Sequence, residues 1–190
     1  NNEDFYANYG VMKNIVGYVP QQDIVYDRLT LWDMLMYAAR LRMPTDASKK
    51  EYEQRVKQVI ATVELTGHEN SMISSLSGGQ KKRASIAVEL LSDPSLFFLD
   101  EPTSGLDPGT ERNLMRTLKN MSRAGKTVIL VTHNTLNLHL CDKIIFLGSG
   151  GSLCFFGPPA EALSFFGVES LVDVYSMLDA DTETWRRRYA

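Results

Sequence analysis

The most constraining feature of this sequence is an apolar run that ends in two adjacent carboxylates. Residues 96–99, Leu-Phe-Phe-Leu, lead into Asp100 and Glu101, and a Pro-Thr-Ser-Gly segment follows. An apolar run that stops at such a turn predicts a buried strand with acidic residues at its carboxyl end. Open α/β sheets bind their ligands at that end. Asp100 is therefore a candidate Mg²⁺ ligand, and Glu101 a candidate group for polarising an attacking water.

Three other polar features lie at the ends of predicted elements. Ser77-Gly78-Gly79 opens a predicted helix, and the partial positive charge at a helix amino end suits an anion such as a γ-phosphate. Gln21 follows a short predicted strand over residues 15–19, and His133 follows an apolar strand. Each feature alone has an ordinary explanation as a helix cap, a polar loop residue or a structural histidine.

The combination of these features is more specific than any one of them. Leu76-Ser77-Gly78-Gly79-Gln80 precedes LDEPTSGLD at residues 99–107, between Gln21 and His133. This order resembles the nucleotide-binding domain of ABC-type ATPases, from about Val16 to Gly167. It is most similar to the G subfamily and the bacterial ABC-2-type exporters. Two positions depart from that pattern, since Gln80 stands where those proteins often carry Glu, and Pro108 where they often carry Ser.

The resemblance implies a role for each motif, with ATP and Mg²⁺ as cofactors. Asp100 and Gln21 are expected to hold the metal, and Glu101, His133 and Gln21 to act in hydrolysis. The signature residues are expected to face ATP held by a second chain, and the D-loop to carry signals across the dimer. The signature residues are Ser77, Gly78, Gly79 and Gln80, and the D-loop residues are Ser104, Gly105, Leu106 and Asp107.

The implied partners are a second ABC ATPase domain in a head-to-tail dimer and a transmembrane permease domain, fused or separate. The implied location is the cytoplasmic side of the cell membrane, and no nucleic acid is expected. The net charge of −3 agrees with that last point, because a surface built for nucleic acid is strongly basic. The sequence has no uninterrupted apolar run near 18 residues, and its two cysteines, Cys141 and Cys154, are expected to be reduced packing residues.

The expected fold class is α/β, with the parallel-sheet core of an ABC-type P-loop NTPase and a small all-α subdomain. The sequence contains no G-x-x-x-x-G-K-[ST] phosphate loop, so we expect a fragment truncated at its N-terminal strands and inactive alone. We expect four regions: strand and Q-loop, helical subdomain with the signature, catalytic core, and C-terminal extension. They span residues 1–27, 28–92, 93–167 and 168–190.

Local patterns predict the other elements. Helices are expected from Thr30 with Leu41 on the apolar face, from a capping box at Ser48, and from Asp107-Pro108. A hairpin is expected around the glycines of residues 148–151, followed by a short helix from Pro158. Lys81, Lys82 and Arg83 are interpreted as a solvated face. Residues 169–190 are weakly patterned, and Arg186, Arg187 and Arg188 are interpreted as a solvated tail or the start of a connection, with contact to acidic lipid as the alternative.

Two alternatives to a transporter remain open from the residues. A soluble ABC ATPase of the translation-factor type would carry the same motifs, whereas the chromosome-maintenance type is disfavoured because residues 22–75 contain no sustained heptads. A non-catalytic docking module would keep the fold and lose the chemistry. Against this last alternative, every motif in the sequence carries the residue that catalysis requires.

Overall fold

The computed structural model describes residue 4 and residues 6–190. They form two compact units, called here unit 1, which ends at Thr132, and unit 2, His133–Ala190. Residues 1–3 and 5, in the expected region 1–27, lie outside the described residues. The division at Thr132 falls inside the expected region 93–167, and the four-region scheme stays a prediction.

Unit 1 is built on a three-stranded parallel sheet. Its strands are β1 (Val16–Val19), β2 (Leu96–Asp100) and β3 (Thr127–Val131), in the order β1-β2-β3. One face is covered by helices and buries Val19, Phe97 and Leu99, whereas Tyr18, Ile129 and Val131 on the other face are exposed. In this order β2, the predicted strand that ends in Asp100, is the central strand of the sheet.

Five α-helices complete the described part of unit 1: α1 (Tyr9–Met12), α2 (Leu31–Arg42), α3 (Lys49–Thr62), α4 (Gly78–Leu90) and α5 (Pro108–Arg123). Single 3₁₀ turns span Lys13–Ile15 and Ile73–Ser75. The predicted caps are confirmed, because Thr30, Ser48 and Asp107 each accept a backbone N–H of the first turn that follows. Helix α4 packs against α2, α3, α5 and β1, so it lies at the centre of unit 1.

One detail of the predicted apolar faces is wrong. Leu41, in the last turn of α2, is 87% exposed, while Met36 and Ala39 are buried. The apolar pattern of α2 thus continues beyond the part of the helix that its neighbours cover. Periodicity reports which face of a helix is apolar, but it does not report where the neighbouring helix ends.

Unit 2 combines a hairpin with two helices. Strands β4 (Ile144–Gly148) and β5 (Ser152–Gly157) are antiparallel, and Gly150 and Gly151 have φ of +69° and +75° in the predicted glycine turn. Helices α6 (Pro159–Phe166) and α7 (Asp173–Tyr189) follow, with 3₁₀ turns at Leu138–Leu140 and Ser149–Gly151. The core of unit 2 is aromatic and includes the buried Cys154.

Arg186, Arg187 and Arg188 are exposed, as the solvated-tail interpretation expects. They belong to α7, which has a kink at Asp181 and buries Val174 and Leu178. The Arg188 guanidinium lies 5.2 Å from the ring centroids of both Phe165 and Trp185. Within the described residues, no helix is long and apolar enough to span a bilayer.

Candidate functional site

The carboxyl ends of the three parallel strands bring several predicted site residues to one edge of the sheet. Val19 of β1 is opposite Leu99 of β2, and Asp100 is opposite Val131 of β3. Gln21 lies two residues beyond Val19, just as Glu101 lies two residues beyond Leu99. Because adjacent strands are about 4.8 Å apart, Gln21, Asp100 and Glu101 all emerge at this edge.

The backbone of Glu101 is strained. Its φ of +46° lies in the left-handed region, which glutamate adopts at a cost of about 1–3 kcal/mol. Two hydrogen bonds hold it there: the Glu101 N–H donates to the Val131 carbonyl at 2.9 Å, and the Glu101 carbonyl accepts from the Ser104 N–H at 3.1 Å. Such strain is concentrated at functional sites, so this geometry supports Glu101 as a functional residue.

The side chains at this edge fit a magnesium site that is completed by phosphate. Among the described residues, no three His, Cys, Asp or Glu side chains cluster as a protein-only metal cage would require. Mg²⁺ instead commonly takes one or two carboxylates, with waters and substrate phosphates as its remaining ligands. Half-buried Asp100 at the end of β2 supplies one such carboxylate. Gln21 adds an amide oxygen, which is also a hard ligand.

The signature motif forms the amino end of α4. Ser77 is the N-cap and accepts the Gln80 N–H at 3.3 Å, while the Gln80 side chain accepts the Ser77 N–H at 2.9 Å. This is a capping box, in which Glu at position 80 would serve as well as Gln. The departure at Gln80 therefore keeps the local structure. The Gln80 amide nitrogen also lies 3.1 Å from Nε2 of His68.

The two signature glycines have different surroundings. Gly78 is exposed, and a Cβ added there would lie 3.8 Å from Leu106, which is an ordinary contact. Gly79 is buried, and a Cβ there would lie 2.2 Å from the Thr110 methyl of α5. Close packing of α4 against α5 thus requires glycine at 79, whereas Gly78 leaves backbone open to solvent.

The end of the sheet that carries Gln21, Asp100 and Glu101 is called here the acidic edge. The predicted D-loop, Ser104–Asp107, joins it to α5. Gly105 has φ of +74°, and the Leu106 N–H donates to the Thr103 carbonyl at 3.2 Å. Asp107 then caps α5. The hydroxyl and N–H of Thr110, and next the N–H of Gly109, lower the pKa of the Asp107 carboxyl because they stabilise its charged form.

Sequence reasoning missed one residue at this site. Lys82 is only 4% exposed, so the solvated-face interpretation is wrong for it. Its ammonium donates to the Gln21 carbonyl at 2.8 Å and lies 2.8 Å from the Asp23 carboxylate. The available signal was the helical spacing of Lys82 from Gly79 and Ile86, both of which are buried on the same helix.

His133 is the first residue of unit 2. Its side chain is exposed, and its carbonyl accepts the Tyr175 hydroxyl at 3.5 Å. His133 thus follows β3 in the chain as predicted, and its role stays a prediction.

The chain contains a partial phosphate-loop pattern at Gly125-Lys126-Thr127, with Asn120 where the pattern needs its first glycine. A phosphate loop leads from a strand into a helix, whereas this segment leads from α5 into β3. Lys126 also donates to Asp93 and to the Pro94 carbonyl, at 2.9 and 2.8 Å. The segment therefore does not serve as a phosphate loop.

A parallel sheet with an acidic pair at the carboxyl end of its central strand, beside a glycine-led helix, defines an α/β nucleotide-binding domain. The chain belongs to the ABC transporter family: the family model described as "ABC transporter" matches residues 2–104, more than half of the 190 residues. The predicted family and the predicted P-loop NTPase fold of ABC type are confirmed.

Individual relatives agree with this assignment. The chain is 41% identical over 184 residues to the ABC transporter ATP-binding/permease protein Rv1747 of Mycobacterium tuberculosis, covering 97% of this chain and 21% of that protein. It is 39% identical to ABC transporter G family member 14 of Arabidopsis thaliana, covering 83% of this chain and 25% of that protein. These two relatives support the predicted G-subfamily type of ATP-binding domain. The chain spans a quarter or less of the length of each.

A solved structure supports the fold independently. CbiO1 from Clostridium perfringens, described as part of the ABC transporter complex CbiONQ, superposes with a TM-score of 0.75. The sequences are 25% identical, and the match covers 96% of this chain and 70% of CbiO1.

Proposed function

We propose that this chain is part of the ATP-hydrolysing domain of a membrane exporter. In this proposal Asp100 and Gln21 hold Mg²⁺, which would neutralise charge on the phosphates. Glu101 polarises the attacking water, and Gln21 and His133 order the γ-phosphate end. Positioning and charge neutralisation dominate phosphoryl transfer, so the residues act as a set.

The observation that carries this proposal is the shared edge of Gln21, Asp100 and Glu101. The parallel register brings the three residues to neighbouring strand ends. The left-handed backbone at Glu101, held by hydrogen bonds to Val131 and Ser104, agrees with a functional position at this edge.

The proposed assembly is a head-to-tail dimer of two such domains. Ser77 and Gly78 are exposed at the amino end of α4, where the helix dipole favours an anion presented by a second chain. The D-loop would transmit the state of one site to the other, and hydrolysis would reset the dimer. The partner in the membrane would be a permease domain, fused or separate, with the ATPase domain on the cytoplasmic side.

The central experiment replaces Glu101 with Gln in the full-length transporter to which we assign this chain. General-base catalysis is worth roughly 10²- to 10⁴-fold, so Glu101→Gln should lower kcat by at least about 100-fold and leave ATP binding intact. Glu64→Gln is a matched control, because Glu64 is also a unit 1 glutamate with positive φ (58°) and lies outside the acidic edge. If Glu101→Gln hydrolyses ATP at the unaltered rate, the proposal fails.

A second experiment concerns the chain by itself. We propose that residues 1–190 alone neither bind ATP usefully nor hydrolyse it, because their sequence supplies no phosphate loop to cradle the β- and γ-phosphates. Isothermal titration calorimetry with ATP and Mg²⁺ should give no measurable heat of binding at micromolar ligand. A micromolar dissociation constant would contradict this part of the proposal.

A further inference from the structure

We propose that Lys82 is a positioning residue that attaches the segment carrying Gln21 to the signature helix. This segment, residues 20–27, is called here the Q-loop. The inference rests on the proposed function, because it concerns how Gln21 is held for ATP hydrolysis. Neither the family resemblance nor the charge pattern assigns a role to Lys82.

The polar contacts of the Lys82 ammonium lie in the Q-loop. Its Nζ lies 2.8 Å from the Gln21 carbonyl, 3.5 Å from the Pro20 carbonyl and 2.8 Å from Oδ1 of Asp23. The Asp23 contact is an ion pair without hydrogen-bond geometry. An ammonium has three donors and no acceptor, so these oxygens are suitable partners for it.

Burial makes these contacts costly to lose. The side chains of Lys82 and Asp23 are only 5% and 25% exposed. An ammonium removed from water must be paired, because removing one partner of a buried pair leaves an uncompensated charge. The buried Lys82 ammonium therefore stabilises the loop conformation in which the Gln21 carbonyl lies beside it.

Backbone hydrogen bonds hold the Q-loop at its far end, where the Tyr26 and Asp27 carbonyls accept the N–H groups of Leu29 and Ser74 at 3.1 and 3.3 Å. Residues 20–26 form neither helix nor strand. At its far end, Lys81 pairs with Asp27 at 3.1 Å, but the Asp27 side chain is 64% exposed, and such pairs contribute little. Lys82 is thus the buried attachment between the Q-loop and α4.

This attachment has a mechanical consequence. Ser77 and Lys82 lie on one rigid helix, so any movement of the signature end of α4 is passed to the Gln21 backbone. In the proposed dimer, the signature faces one nucleotide while Gln21 of the same chain serves the other. Lys82 would then link the positions of the two ATP sites through a single side chain.

The test is a double-mutant analysis of ATP hydrolysis in the full-length transporter. Misplacement of a catalytic group by about 1 Å can cost roughly 100-fold, so Lys82→Met should lower kcat by about 10- to 100-fold with KM for ATP nearly unchanged. If Lys82 acts through Gln21, Lys82→Met should cause no further loss in a Gln21→Ala background. Lys81→Met, the neighbouring lysine with an exposed partner, is the matched control and should change kcat by less than about twofold.

Two outcomes would overturn the inference: an unchanged kcat for Lys82→Met, or an equal loss of activity with and without Gln21. If Lys82→Met does not fold, the double variant Lys82→Met/Asp23→Leu removes both buried charges and should show the same dependence on Gln21.

Limited proteolysis with a non-specific protease separates a failure of this inference from a failure of the proposed function. In Lys82→Met, the peptide bonds of residues 21–25 should be cleaved faster than in the unaltered protein, while those in the middle of α4 stay protected. This result needs no ATP hydrolysis, so it stands even if the protein proves not to be an ATPase. Unchanged cleavage at residues 21–25 would refute the attachment itself.

Discussion

Replacing Gly79 with Ala should destabilise unit 1, although alanine is the better helix former. A Cβ at Gly79 would lie 2.2 Å from Cγ2 of Thr110, so α4 and α5 must move apart by more than 1 Å to restore an ordinary carbon–carbon contact of about 3.5 Å. Overpacking of this kind costs about 1–3 kcal/mol, and we take about 3 because both atoms are close to their own backbones. The gain in helix propensity from Gly to Ala is about 1 kcal/mol, which leaves a net loss of about 2 kcal/mol.

Urea denaturation followed by far-UV circular dichroism measures this difference. With a slope of about 2 kcal/mol/M, the midpoint for Gly79→Ala should fall by about 1 M. Gly78→Ala is the matched control, since its Cβ would meet Leu106 at 3.8 Å and should leave the midpoint unchanged or slightly higher. The second variant is Thr110→Ser, which removes the clashing methyl and keeps the hydroxyl that Asp107 accepts.

The Thr110→Ser background tests whether the clash with the Thr110 methyl causes the loss of stability. In the Thr110→Ser background, Gly79→Ala should cost less than about 0.5 kcal/mol, because residues that clash directly are coupled and non-additive. If Gly79→Ala and Gly78→Ala have the same midpoint, or if Thr110→Ser gives no rescue, the close α4–α5 packing is not the reason for glycine at position 79.

Three further predictions concern stability. Hydrogen bonds from Lys126 and then Arg55 lower the pKa of the Asp93 carboxyl, so its contribution is complete above the unfolded pKa of about 3.9 and is lost as pH falls through the lower folded value. Asp93→Asn should therefore cost about 1 kcal/mol at pH 7 by urea denaturation and nothing at the acid end of a pH series; a pH-independent difference would contradict this. Asp107→Ala should lower the urea midpoint through loss of the α5 cap, whereas Asp107→Asn should leave it nearly unchanged; equal losses would show that the cap is not responsible. Phe166 is 2% exposed in the core of unit 2, so Phe166→Ala should lower the free energy of unfolding by about 3–5 kcal/mol, as measured by urea denaturation followed by near-UV circular dichroism.

The elements that sequence reasoning predicted well carry local signals. Ser48 with Glu51 and Asp107 with Pro108 specify helix starts through their own hydrogen bonds and backbone angles. The strand before Asp100 is short, apolar and bounded by a turn. In these places the residues that form an element also determine where it ends.

The elements that were missed depend on interruptions or distant contacts. Helix α7 escaped because Asp181, with φ of −158°, breaks the helix, and Asp181 then accepts the Thr184 N–H as a new cap. Val174, Leu178, Trp185 and Tyr189 nevertheless keep a helical spacing across this break, and that spacing was the signal available in the sequence. The burial of Lys82 was missed because its partners, Pro20, Gln21 and Asp23, lie about 60 positions away in the chain. A charged side chain also gives no sequence signal of burial.

The acidic edge was predictable as a set of residues, but its geometry was not. The order of motifs indicated Gln21, Asp100 and Glu101, and the parallel register then accounts for their common edge. The left-handed backbone of Glu101 has no sequence signal, because glutamate seldom adopts it without tertiary support.

That backbone also governs which inactive forms of the domain are informative. Gly and Asn enter the left-handed region at lower cost than Glu, so either residue at position 101 would relax the turn as well as remove the carboxylate. Such a variant would differ from the native protein in the shape of its loop. Gln keeps both the length and the backbone preference of Glu, which makes it the substitution of choice for capturing the proposed ATP-bound assembly by cryo-electron microscopy.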